Sequence, residues 1–218
     1  MPDAADGPSV TSAREKYRGI ARTYDLRLTT GREFHRRAVA RLAPRPGERI
    51  VDVGCGTGLS FPMIEAGIGP EGHLLGLELS LEMLEQARRR VEQHGWRNVT
   101  LIESAAQDAR LPGDLNAALF VLTHDIVRSR DALGNVISAL RPGGRVVACG
   151  SKRPSRWLWP LRAYVKLKAR RYVTTFEGFD RPWTILSELL PDLEVEPILM
   201  GAAYLAWGTV RDARARQT

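Results

Sequence analysis

The sequence is short of the features that would make several function classes easy to name. Two cysteines, Cys55 and Cys149, in 218 residues are too few for a disulfide scaffold and form no metal-type cluster, so neither an extracellular stapled fold nor a bound metal is expected. No apolar run approaches the roughly 18 residues of a membrane span. The first thirty residues are polar and mixed in charge, unlike a secretory leader. Aromatic residues make up 7% of the chain, and neither an internal repeat nor a low-complexity tract is present. The expectation is one reduced, cytoplasmic domain over 1–218, with an N-terminal helical cap (1–45) and a helical insertion at 151–183.

Acidic residues are missing from one place in particular. Between Ser151 and Phe176 stand Lys152, Arg153, Arg156, Arg162, Lys166, Lys168, Arg170 and Arg171 without a single Asp or Glu. The net charge is +7, so the chain outside this block is close to neutral. An anionic partner is expected to meet the protein there.

Strand-like and helix-like runs alternate along the middle of the chain. Helical patterns cover 14–28 and 33–42, closed by Ala43-Pro44-Arg45-Pro46-Gly47. Apolar strands are expected at 49–53, 73–77, 99–103, 116–122 and 145–149. A helix is expected at 81–93 and another at 131–140, the latter stopped by Arg141-Pro142-Gly143-Gly144. Such alternation predicts a doubly wound α/β fold with a parallel sheet. The tail differs: 193–200 and 203–210 are joined only by Gly201-Ala202, so they are expected to pair as an antiparallel hairpin.

The most specific stretch is Val51-Asp52-Val53-Gly54-Cys55-Gly56-Thr57-Gly58. It follows the first strand, where doubly wound sheets bind cofactors, and its glycines let backbone approach a ligand. Glu78 ends the next strand, placed to accept hydrogen bonds from two ribose hydroxyls. Leu59 breaks the G-x-G-x-x-G dinucleotide pattern, and no G-x-x-x-x-G-K-[ST] phosphate loop exists. A nucleoside without pyrophosphate is the ligand these residues suit.

Residues 48–60, with Glu78 and Leu140-Arg141-Pro142-Gly143-Gly144, resemble the class I S-adenosylmethionine-dependent methyltransferases. The resemblance implies a Rossmann-like seven-stranded sheet, mostly parallel, with an antiparallel C-terminal hairpin. It implies S-adenosylmethionine as cofactor, with Gly54, Cys55 and Gly56 along its methionine part, Asp52 supporting the loop and Glu78 on the ribose. Leu79 and Met83 would flank the adenine, although Met83 suits the core equally. The family's Asp after the third strand is here Ala105, so adenine would be read by backbone at Ala105 and Ala106, or by Gln107 or Asp108.

The fourth strand ends in Thr123-His124-Asp125 at the edge where an acceptor would lie. Thr123 is a candidate cofactor contact and His124 a candidate general base, histidine being the residue type whose unperturbed pKa, about 6.5, lies nearest neutrality; packing of His124 in the loop is the plainer alternative. Asp125 is expected to cap a helix starting at Ile126. Tyr17 and Tyr24 lie in a Tyr-x6-Tyr-Asp stretch similar to that of quinone-biosynthesis and phospholipid N-methylating enzymes, which implies a Tyr beside the methyl group. His35, flanked by Arg36 and Arg37, is expected to be solvated.

Methyl transfer to a small-molecule acceptor, lipidic or anionic, is therefore the leading expectation. A peripheral-membrane phospholipid N-methyltransferase is one alternative, since the Trp-containing basic segment 152–172 suits a lid or an anionic membrane surface. A non-catalytic module docking through that segment is another, and a nicotinamide oxidoreductase is disfavoured by Leu59. Nucleic acid is disfavoured because Thr123-His124-Asp125 stands where an Asn/Asp-Pro-Pro-aromatic motif would be.

Overall fold

Seven strands form one sheet in the order β3-β2-β1-β4-β5-β7-β6. The computed structural model describes residues 29–153 and 178–211. The strands are β1 (Arg49–Val53), β2 (His73–Glu78), β3 (Val99–Glu103), β4 (Leu115–Val121), β5 (Leu140–Ser151), β6 (Glu194–Ile198) and β7 (Ala203–Thr209). The helices are α1 (Thr29–Leu42), α2 (Phe61–Ile68), α3 (Leu81–His94), α4 (His124–Val127), α5 (Arg130–Ser138) and α6 (Thr184–Leu189). The first five strands run parallel, and β7 lies antiparallel between β5 and β6. This is the Rossmann-like seven-stranded sheet with an antiparallel C-terminal hairpin that the sequence and its resemblance implied.

The central strands are apolar on both faces, as a sheet covered twice requires. Successive side chains alternate sides. Ile50, Ala117, Leu119 and Val121 join one core with Phe34, Ala38, Leu42, Phe61 and Ile64 of α1 and α2. Val51, Val53, Ala118 and Phe120 join the other with Val127, Leu133, Val136 and Leu186 of α4, α5 and α6. Burying a Leu, Ile or Phe side chain stabilises by about 1.5–3 kcal/mol, so two filled layers fix which strand edge faces which loop. Arg145 adds a polar clamp at the amino edge, donating to both Glu48 carboxylate oxygens at 2.8 and 2.6 Å and to the Leu42 carbonyl at 3.0 Å.

Two local expectations need correction. β5 begins at Leu140, so Arg141-Pro142-Gly143-Gly144 lies within the strand rather than ahead of it. Gly143 N donates to the Val210 carbonyl and Val210 N to the Gly144 carbonyl, extending the β5–β7 ladder through the expected stop. β6 ends at Ile198, two residues early, because Leu199–Gly201 forms a 3-10 turn with φ of 50° and 53° at Leu199 and Met200. Pro197 is tolerated because β6 is an edge strand, paired only with β7.

Candidate active site

The carboxyl ends of β1, β2 and β4 converge on one loop. Leaving β1, Gly54 N and Cys55 N both donate to the Leu77 carbonyl at the end of β2, at 2.7 and 3.0 Å. Gly54 and Gly56 take positive φ, 67° and 56°, which only glycine adopts without strain. Their surroundings differ. A Cβ on Gly54 would stand 2.6 Å from Thr123 Cγ2, whereas one on Gly56 would meet nothing within 4 Å. The loop is thus packed on one side and open at Gly56, leaving a cradle lined by backbone.

Glu78 organises the rim. Its Oε2 accepts from Gly56 N at 3.0 Å, and its Oε1 accepts from Leu79 N and Ser80 N, both at 2.9 Å. A carboxylate offers about four acceptor positions, so one remains on Oε2 for a ligand. Burial raises the Glu78 pKa against the lowering effect of the three backbone N–H groups. Asp52 is buried at the end of β1, and burial with the nearby Glu78 charge lifts its pKa to about 7 despite a hydrogen bond from Ser60. Its Oδ2 has no hydrogen-bond partner among the described residues. Burial beside these two carboxyls pushes the Cys55 thiol well up, so Cys55 lies there as a neutral, small side chain.

On the far side of the cradle, Leu79 is half-buried and Met83 fully buried under the start of α3, which Ser80 caps by accepting from Met83 N at 3.4 Å. Ala105 and Ala106 sit on the turn after β3, where Asn135 Nδ2 donates to the Ala106 carbonyl at 2.8 Å and the Ala109 carbonyl at 2.9 Å. Asn135 carries no motif; its role follows only from α5 packing over that turn.

Leu122 turns the chain off β4 with a left-handed φ of 60°, its N–H held by the Cys149 carbonyl at 2.8 Å. Thr123 then precedes α4, and its buried Oγ1 has no hydrogen-bond partner among the described residues. α4 starts at His124, so Asp125 lies inside its first turn and is not the cap, contrary to expectation. Both His124 ring nitrogens are buried, and the ring meets Phe179 edge-on with centroids 5.0 Å apart. Phe179 belongs to a segment the motifs did not mark. Tyr17, Tyr24 and residues 154–177 of the basic segment lie outside the described residues. His35 is buried, not solvated, with Nδ1 2.7 Å from Ser60 Oγ.

The site therefore unites Gly54, Cys55, Gly56, Glu78, Leu79, Ala105, Ala106 and Thr123 around one strand edge, with His124 on the adjoining side. Its chemistry fits a nucleoside carrying a short polar chain. An open glycine backbone suits the chain, a carboxylate with a spare acceptor position suits the ribose, and the Thr123 methyl packs against the loop at Gly54. No group of three or more His, Cys, Asp or Glu suited to a metal occurs among the described residues.

Comparison with known proteins agrees with this geometry. A family model described as a methyltransferase domain matches residues 50–144. A demethylmenaquinone methyltransferase of Symbiobacterium thermophilum is 30% identical over 197 residues, covering 81% of this chain and 76% of the relative. An aklanonic acid methyltransferase of Streptomyces sp. is 34% identical over 157 residues, 67% of this chain and 66% of its own. The crystal structure of a SAM-dependent methyltransferase from Aquifex aeolicus shares the fold with a TM-score of 0.62 at 16% identity, covering 87% of this chain and 97% of that one.

Proposed function

Since this chain belongs to the class I S-adenosylmethionine-dependent methyltransferases, we propose that it methylates a small lipidic or anionic acceptor held at the carboxyl edge of β4, with His124 as the proton-accepting group. The protein is an enzyme that uses S-adenosylmethionine to methylate a small molecule. When bound, the cofactor supplies a methyl on a positively charged sulfur, an electrophile that asks mainly for alignment and dryness.

The work of this chain's own residues follows from their places. Glu78 holds a ribose hydroxyl through its free acceptor position, and the Gly54–Gly56 backbone lines the methionine part. Leu79 flanks the adenine, with backbone at Ala105 and Ala106 along its edge and the fully buried Met83 packed behind it. Thr123 Oγ1 meets the cofactor where the loop touches β4. His124, screened from water against Phe179, takes a proton from the acceptor as its nucleophilic atom attacks, a task for which a neutral imidazole is suited. The aromatic wall of Phe179 favours an apolar acceptor body.

The observation that carries the reading is the Glu78 carboxylate bonded to the Gly56 N–H beside an open glycine backbone. Calorimetric titration with S-adenosylhomocysteine tests it. Glu78→Ala should weaken binding by roughly 10- to 100-fold, the weight of one hydrogen bond to a charged group. Gly56→Val should weaken it comparably, by filling the cradle. Unchanged affinity in both variants would remove the site assignment. Methyl-labelled cofactor incubated with a cell extract tests the acceptor class, since label should pass to the organic phase on acidification. Label confined to the aqueous phase would exclude the lipidic acceptor.

The demethylmenaquinone relative favours a ring-bearing lipid for this acceptor.

A further inference from the structure

Beneath the glycine loop lie three buried polar side chains that the motif does not account for together. Strand alternation sends Asp52 to the face of Ile50, which α1 and α2 cover. His35 projects from α1 on that side, and Ser60 stands just before α2. A serine in that position ordinarily accepts a hydrogen bond from the helix's first N–H groups, a cap worth about 1 kcal/mol. Ser60 makes no such bond. Its hydroxyl is committed sideways instead, 2.7 Å from His35 Nδ1 and hydrogen-bonded to Asp52.

The single hydroxyl proton dictates the direction of this chain. Above the Asp52 pKa of about 7 the carboxylate only accepts, so Ser60 donates to it; Ser60 then accepts from His35, which carries its proton on Nδ1. Asp52 already has one oxygen without a partner among the described residues. Losing the ordered hydroxyl as well would leave a buried carboxylate that the loop must move to hydrate.

We propose that His35 is a positioning residue for the cofactor loop: donating through Nδ1, it holds Ser60 as the donor to Asp52 and so keeps Gly54–Ser60 in the shape that receives the cofactor. The proposal rests on the assignment of that loop to S-adenosylmethionine. It makes cofactor affinity depend on a helix 25 residues earlier in the chain.

S-adenosylhomocysteine titration of His35→Leu, His35→Asn and Ser60→Ala provides the test. Leucine and asparagine share the same branching and number of side-chain heavy atoms, but only asparagine keeps a donor near the Nδ1 position. His35→Leu should weaken binding ~10-fold, the weight of one buried hydrogen bond, and His35→Asn should stay within ~3-fold of the parent. Ser60→Ala should match His35→Leu, and the double variant should be no weaker than either, since both remove one connection. Equal losses in the Leu and Asn variants, parent-like binding by His35→Leu, or additive losses in the double variant would each overturn the proposal. If His35→Leu fails to fold, Ser60→Ala and His35→Asn still decide. Nitrogen NMR of the unliganded protein, recorded above the Asp52 pKa of about 7, gives a readout independent of the cofactor: an Nδ1–H tautomer altered by Ser60→Ala supports the relay, and an Nε2–H tautomer overturns it. A parent protein that does not bind S-adenosylhomocysteine at all would instead defeat the loop assignment, leaving the tautomer to judge the relay.

Discussion

The two halves of the sheet's carboxyl edge are built on different principles. On the β1–β2 side the site is mostly backbone: amides of Gly54, Cys55, Gly56, Leu79 and Ser80 are fixed by the Leu77 carbonyl and by Glu78. On the β4–β5 side it is side chains from separate segments, with His124 meeting Phe179 across 5.0 Å. A backbone site tolerates almost any side chain except one placed on its glycines. A side-chain site can be re-cut for another acceptor by changing a few residues while the fold stands. On the proposed reading, such a division would let one cofactor half serve different acceptors; the two relatives named above carry different acceptors in their names.

The largest effect should come from outside both halves, at the clamp between the strands that carry them. Glu48 precedes β1, Arg145 belongs to β5, and both side chains are largely buried. Removing one partner of such a pair costs about 3–5 kcal/mol, because the other charge is left uncompensated. Arg145→Met should lower unfolding stability by that amount in urea titration. S-adenosylhomocysteine affinity of the folded fraction should change by less than ~2-fold, since the clamp sits at the opposite edge. The pH dependence has a definite sign. Arg145 and the Arg45 N–H hold Glu48 below the ordinary carboxylate range despite its burial. Glu48 therefore stabilises the fold above its unfolded pKa, and this stability fades as pH falls through the folded value. Arg145→Met should flatten that acid limb.

Within the site, the halves should separate kinetically. His124→Phe keeps a ring against Phe179 but removes the proposed proton acceptor, so turnover should fall by about 100-fold, the lower range for a lost general base. Cofactor affinity should stay unchanged. A loss of affinity equal to the loss of turnover would place His124 in the cofactor half. The cofactor half can be dissected in turn by a pair of alanines. At Gly54 the new methyl adds a clash with Thr123 to the cost of a left-handed residue; at Gly56 it adds only the latter, about 1 kcal/mol. Urea unfolding should show Gly54→Ala losing roughly twice as much as Gly56→Ala, and Thr123→Ala should return part of the difference. Equal losses would mean Thr123 does not pack on the loop.

The same contrast governs what could be read from the sequence. Gly54, Gly56 and Glu78 are legible because strand, glycines and the next strand's last residue recur at local spacing, and the chemistry is tied to that spacing. Phe179 is not, since its meeting with His124 depends on how a distant segment folds back. Asn135 is silent for the same reason: an asparagine on a helix becomes a ligand of two carbonyls only once α5 lies over the turn after β3. His35 was misplaced because Arg36 and Arg37 suggest a solvated face. The i, i+4 neighbours Phe34 and Ala38 both enter the core, and His35 borders that stripe closely enough to be drawn in. Asp125 looked like a cap because acidic residues favour helix starts, yet the helix begins one residue before it.

The smallest effect expected lies in the C-terminal hairpin, where a simple strand pattern conceals an irregular connection. The apolar run 193–200 reads as uninterrupted strand, but Leu199 and Met200 leave the ladder in left-handed conformations ahead of Gly201 at φ 79°. Leu199 packs on the core beside Ile198, whereas Met200 is 78% exposed and buries almost nothing. The backbone there is held by its neighbours: Ala202 N donates to the Leu199 carbonyl and Lys152 N to the Ala202 carbonyl, tying the turn to the end of β5. Met200 thus bears the cost of a left-handed residue without a packing return, and glycine would remove that cost. Glycine also enlarges the unfolded ensemble, which offsets part of the gain. Met200→Gly should raise unfolding stability by about 0.5 kcal/mol net, and Met200→Val, β-branched at positive φ, should lower it. Because the turn closes the acceptor side of the sheet and not the glycine loop, neither variant should alter S-adenosylhomocysteine affinity. A destabilised Met200→Gly protein would show that the exposed methionine, rather than the backbone around it, holds the turn.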